Sequence, residues 1–95
     1  MTLEAYGHRN DFQIELLLLD MSKAFVAIHC ETGKENPVIR SLMEIRGVSE
    51  VTGVLGLYDV VIKVEAPSSS ALEEIITKYV RKVPHVLTTM TLIVI

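Results

Sequence analysis

The apolar positions of this chain follow two different periods, and the switches between them mark the elements. Residues 24–30, Ala-Phe-Val-Ala-Ile-His-Cys, are rich in β-branched and aromatic side chains and predict a strand. Gly33 marks a turn, and Asn36-Pro37 has the form of an N-cap followed by proline at the first helical position. Val38, Leu42 and Ile45 then recur at helical spacing, Ile39 and Met43 widen the stripe, and Gly47 closes the helix. Residues 48–55 predict a second strand and residues 58–65 a third, joined by Gly56-Leu57 as a two-residue type II′ hairpin turn. Ala66-Pro67 breaks the third strand. Ser68 to Ser70 offer several N-caps for a second helix, and Ser70 with Glu73 has capping-box spacing. Its apolar face is Leu72, Ile75, Ile76 and Tyr79, Arg81 and Lys82 favour its C-terminal end, and Pro84 stops it. Residues 86–95 form a long last strand.

The order is β-α-β, tight hairpin, β-α-β, with Val26 and Ile28 of the first half echoed by Val60 and Ile62 of the second. Two such units joined by a hairpin predict an α+β, ferredoxin-like βαββαβ fold. Right-handed crossovers put both helices on one face of a four-stranded antiparallel sheet. The boundary predicted is 1–23 for an N-terminal extension and 24–95 for the domain. Within the extension, residues 12–19 suit a short helix or a strand. Met21, just before the first strand, is a plausible natural start, which would make residues 1–20 a disordered or over-extended leader; the other reading is an arm packed on a neighbouring subunit.

A sheet covered on one side should alternate apolar with polar, and these strands alternate poorly. Val60, Ile62 and Val64 face one way and Val61 the other, beside Asp59 and Lys63. The last strand has no Gly, Pro or charge from residue 86 to 95, which makes it hazardous as a free edge. Both points predict a homodimer with sheets face to face, and a higher assembly beyond it. With 95 residues, 49% of them hydrophobic, and a mean hydropathy of +0.39, the chain holds more apolar material than one small core hides.

A net charge of −3 argues against a nucleic-acid partner, which needs clustered Lys and Arg to neutralise phosphate. The single cysteine, Cys30, excludes an intrachain disulfide and a multi-cysteine zinc site, and fits a reducing cytoplasm. The early apolar run, residues 16–19, is far short of the about 20 residues that span a membrane, and no signal-peptide pattern precedes it.

The segment Val54-Leu-Gly-Leu-Tyr-Asp-Val-Val-Ile-Lys-Val64 carries the most chemistry. Turn amides near Gly56 and Leu57 can receive a carboxylate, and Asp59 can receive an ammonium; the same residues also serve as a plain hairpin glycine and a polar flank. Thr88, Thr89 and Thr91 offer hydroxyls to a ligand, though threonine is also a good strand residue. Lys63 either snorkels or pairs with Asp59 or Glu65. His8, His29 and His85 fall in different segments, so a metal site would need a subunit boundary. No Ser/His/Asp arrangement, phosphate loop or H-E-x-x-H occurs.

These stretches, with the threonine-rich last strand Val83-Pro-His-Val-Leu-Thr-Thr-Met-Thr-Leu-Ile-Val-Ile95, resemble the RAM domain, the amino-acid-binding half of Lrp/AsnC transcription regulators, over residues 24–95. Small chains of this type without a DNA-binding part are stand-alone RAM modules. The resemblance implies a dimeric α/β-barrel assembling into rings, with an effector amino acid between dimers. By motif match, Gly56, Leu57, Tyr58 and Asp59 would line that site with the hydroxyls of Thr89 and Thr91. It implies no cofactor and no catalysis. The missing helix-turn-helix puts direct transcription control in doubt and suggests mixing with full-length Lrp/AsnC relatives. The alternatives are a small dimeric barrel enzyme, an isomerase or cofactor-free monooxygenase with Asp59, His29 or His85 as acid or base, and a purely structural assembly partner.

Overall fold

The computed structural model describes residues 21–95; the segment 12–19, with His8 and Tyr6, lies outside the described residues. Strand β1 (Ser22–Cys30) is followed by helix α1 (Glu35–Met43), strands β2 (Val48–Gly53) and β3 (Val60–Ala66), helix α2 (Ser69–Ile75) with a π-helical continuation (Ile76–Val80), and strand β4 (Val86–Ile93). The strands form one antiparallel sheet in the order β2-β3-β1-β4, as the ferredoxin-like pattern requires. Helix α1 lies against β2, and α2 against β3 and β1.

Register explains the core. Ala24, Val26 and Ile28 stand opposite Val64, Ile62 and Val60, so all six point to the helix side, where they are fully buried. Val38 and Leu42 of α1 and Leu72, Ile76 and Val80 of the second helix close over them. Each valine, leucine and isoleucine among them contributes about 1.5–3 kcal/mol on burial.

Several local expectations are corrected. Helix α1 starts at Glu35, after Lys34, which makes no side-chain capping bond. Asn36 is therefore inside the first turn and is not the cap. Pro37 fits there because first-turn positions need no intrahelical acceptor for an N–H. The helix ends at Met43, and Gly47, at φ +100°, sits in a later turn closed by Val48 N–H donating to the Ile45 carbonyl at 3.2 Å. Ser68, and not Ser70, caps α2, since its Oγ accepts the Ala71 N–H at 3.1 Å. The widened turn from Ile76 to Val80, with Arg81 N–H donating to the Ile76 carbonyl at 3.0 Å, shifts the apolar stripe by a residue. Val80 takes the buried place, and Tyr79, expected there, is exposed.

The two-residue hairpin at Gly56-Leu57 is also overturned. Strand β2 stops at Gly53 and β3 begins at Val60, so residues 54–59 form a longer loop. Its neck is closed by Val54 N–H donating to the Asp59 carbonyl at 2.9 Å, while Asp59 N–H donates to Ile28 of β1 at 2.8 Å. The last residue of the loop is thus tied to the neighbouring strand and cannot belong to a tight turn. The first and last strands differ at their ends: β1 begins at Ser22, and β4 ends at Ile93, with one further bond from Val94 N–H to the Lys23 carbonyl at 2.9 Å.

The face turned away from the helices has two unlike halves. Across β2 and β3, Lys63 pairs with Glu65 at 3.6 Å and with Glu50 at 3.7 Å, not with Asp59. Across β1 and β4 the surface is apolar, with Phe25 opposite Leu92 and Ala27 opposite Met90. Phe25, Met90 and Leu92 are 41%, 41% and 55% exposed.

Candidate functional site

The end of the sheet where β1 stops and β3 begins collects the polar side chains of interest. Asp59 immediately precedes Val60, which points to the helices, so the aspartate projects to the open face. There its Oδ2 accepts two bonds, from the backbone N–H of Cys30 at 2.9 Å and from His29 Nδ1 at 2.9 Å. His29 and Cys30 are neighbours on β1 with opposite fates. The imidazole lies on the open face, and the thiol is buried in the core. Tyr58, one residue earlier, reaches across β1 and directs its hydroxyl to Met90 Sδ of β4 at 3.7 Å. Thr88 stands opposite His29 on the same face.

These contacts decide the electrostatics. The Cys30 N–H is the largest influence holding the Asp59 carboxyl below the ordinary carboxylate range, and the His29 imidazole adds to it; partial burial works in the other direction. Burial pushes the Cys30 thiol up, with the negative charge of Asp59, and then of Glu35, as the next causes. Asp59 is therefore an oriented, ionised carboxylate at neutral pH, with a side chain 25% exposed. Such a group can receive a cation or a hydrogen-bond donor that approaches from the open side. A second histidine pair stands at the same end. His85, at φ +74°, accepts the Glu31 N–H on its carbonyl at 2.9 Å, and its Nδ1 meets the Glu31 carboxylate.

Not every residue singled out in the sequence comes together here. Tyr58 and Asp59 do. Gly56 and Leu57 sit at the tip of the 54–59 loop, with Leu55 and Leu57 almost wholly exposed. Thr89 and Thr91 stand opposite Ile28 and Val26, so they point to the helix side, away from Asp59 of the same protomer. Thr91 Oγ1 is buried and without a hydrogen-bond partner among the described residues. It borders a groove of about 410 Å³ between the second helix and the β4 edge, lined also by Leu72, Ile76, Thr77, Arg81 and Ile93. A second groove of about 560 Å³ runs between Ile45, Gly47, Pro67, Ile75 and Tyr79. Neither groove reaches Asp59.

Sequence reasoning weighed His29 as a metal ligand or catalytic base and missed it as the partner of Asp59. The Cys30 amide was missed as a partner of Asp59 too. The available signal was strand register: once Ile28 is set opposite Val60, the residues next to them, His29 and Asp59, fall side by side on the other face.

Comparison with known proteins bears on what such a site does. Residues 23–95 match the family model described as the Lrp/AsnC ligand binding domain. A hypothetical protein from Pyrococcus horikoshii has 35% sequence identity and a TM-score of 0.73, over 78% of this chain and 89% of that one. AsnC from E. coli has 26% identity and a TM-score of 0.77, over 94% of this chain and 60% of its own. A homocitrate synthase of Sulfurisphaera tokodaii is 36% identical over 74 residues, which is 77% of this chain but 16% of that enzyme. No helix among the described residues is long and apolar enough to cross a membrane.

Proposed function

Since the chain belongs to the Lrp/AsnC ligand-binding domain family, we propose that it is an effector-sensing module that binds a free amino acid without catalysis and couples that binding to self-assembly. The observation that carries this reading is the Asp59 carboxylate, kept ionised and aimed at the open face by the Cys30 amide and His29. It suits the α-ammonium of an amino acid, while free amides of the 54–59 loop suit the carboxylate. Thr89 and Thr91 point away from Asp59 of their own protomer. Their hydroxyls can join a site with Asp59 only across a boundary between copies, which agrees with an effector held between subunits.

The exposed apolar half of the open face, Phe25, Met90 and Leu92, supports a homodimer with this face covered, and the exposed loop tip supports a further, ring-like contact. A ligand shared by two copies binds the assembled state better and shifts the assembly equilibrium by that difference in affinity. Full-length Lrp/AsnC relatives are the natural partners for mixed assemblies. The homocitrate synthase relatives support a second output: the same kind of module serving an enzyme instead of a DNA-binding domain. The enzyme reading for this domain itself is not favoured, because the family matched over residues 23–95 is a ligand-binding one.

Thermal-shift and calorimetric screening against the twenty amino acids tests the proposal. A saturable response to a subset, accompanied by a change in sedimentation, is expected; no response at millimolar concentration would refute it.

A further inference from the structure

We propose that His29 is the positioning and charge-setting residue of this site, so that its proton and the ammonium group of a ligand compete for the one carboxylate of Asp59. The inference rests on the reading that Asp59 receives an ammonium. It adds who controls that carboxylate, and under which conditions it is free.

The geometry carries the argument. Asp59 Oδ2 is held by two donors of different kinds. The Cys30 N–H is backbone, always present and indifferent to pH. The His29 Nδ1 has two states. In neutral His29 with the proton on Nδ1, the imidazole donates a hydrogen bond, fixes the direction of the carboxyl group, and leaves its full negative charge for an incoming cation. In protonated His29 the same bond becomes an ion pair. The charge of Asp59 is then neutralised locally, and a second cation meets an imidazolium beside it. An imidazole ordinarily changes charge between about pH 5 and 8, while the lowered carboxyl of Asp59 stays ionised throughout.

Few other charges face this pair. Thr88 is opposite His29 on β4, and Ala27 is the next residue of β1 on the same side. Lys63 lies further along the sheet, opposite Phe25, and is engaged by Glu50 and Glu65. Glu31 and Glu35 lie close enough to act on the Cys30 thiol, and Glu31 is engaged by His85. The His85 pair is therefore an internal control, since this imidazole meets Glu31 at the same end of the sheet and not Asp59.

The linkage has a definite sign. Protonation of His29 weakens the binding of any ammonium-bearing ligand, and binding of that ligand disfavours protonation of His29. Because the pair is partly exposed to water and salt, the effect is about 1.5- to fivefold in affinity.

The test is calorimetry on the full chain at about pH 7.5 and about pH 5.5. The probe is each of the twenty amino acids that binds at the higher pH, measured with wild type, His29→Gln and His85→Gln. Glutamine keeps a donor for Asp59 but cannot take up the proton. The expected result is the stated loss of affinity at low pH in wild type and in His85→Gln, and a flat profile in His29→Gln. Equal affinity of wild type at both pH values overturns the inference even if His29→Gln fails to fold, as does a His29→Gln protein that keeps the loss. In both cases amino-acid sensing itself survives. If none of the twenty binds at the higher pH, the sensing reading fails, and the role of His29 falls with it.

Discussion

Replacing Gly47 by alanine gives the sharpest test of the packing described above. Gly47 has φ +100°, a backbone conformation that costs a residue with a side chain about 1–2 kcal/mol. It is also crowded. A Cβ placed there would stand 2.7 Å from Ile75 Cδ1 and 3.1 Å from the Glu65 carbonyl oxygen. The isoleucine tip can move. The carbonyl cannot move easily, because Glu65 N–H donates to the Gly47 carbonyl at 2.8 Å and locks the two backbones together. Forcing a methyl group into such a place costs about 1–3 kcal/mol more. The sum, about 2–5 kcal/mol, corresponds to a fall of about 8–40 °C in Tm for a domain of this size. Gly56→Ala is the control, since Gly56 has φ +144° but nothing within 4 Å of an added Cβ. It too has a positive φ that strains a residue with a side chain, but it lacks the steric contact. Thermal and urea melts at one fixed protein concentration compare the two, because assembly otherwise moves Tm. If Gly47→Ala is no more destabilising than Gly56→Ala, the close approach of the α1–β2 turn to β3 and α2 is wrong.

Other substitutions probe the remaining contacts. Ser68→Ala should cost about 1 kcal/mol in urea melts through loss of the α2 cap, while Asn36→Ala, at a position that caps nothing, should be close to neutral. The depressed carboxyl of Asp59 contributes stability that is complete above the unfolded-state value of about 3.9 and is lost as the pH falls through the lower folded-state value. Wild type should therefore lose more stability than Asp59→Asn between neutral pH and strong acid, measured by chemical denaturation at each pH. Leu92→Lys places a charge on the exposed apolar half of the sheet opposite Phe25. It should shift sedimentation toward monomer while leaving the far-UV spectrum unchanged.

The fold was legible in the sequence because period and punctuation agree over most of the chain. Val26 and Ile28, Val60 and Ile62, and the stripe Val38–Leu42 announce their elements through side-chain spacing alone, and spacing is a local property. The errors fall where a distant residue decides. Ser68 and Ser70 are equally good caps on paper, and the entry of the chain from β3 selects the first. Tyr79 has the right spacing for the core in a regular helix, and the π turn moves it out. Gly56-Leu57 suits a tight hairpin by composition, yet β1 claims the backbone of Asp59 and opens the loop.

The candidate site follows the same division. The sequence by itself determined that Asp59 would be a carboxylate at the mouth of a strand pair, beside apolar strands with one face more than the helices could cover. That follows from residue type and alternation, which travel with the chain. Only the tertiary structure decided that His29 and the Cys30 amide both hold Asp59 Oδ2, and that Thr89 and Thr91 turn to the opposite side. Those facts depend on strand register, and register is set by the packing of the whole sheet against its helices, because a slip of one residue would exchange the two faces of every strand.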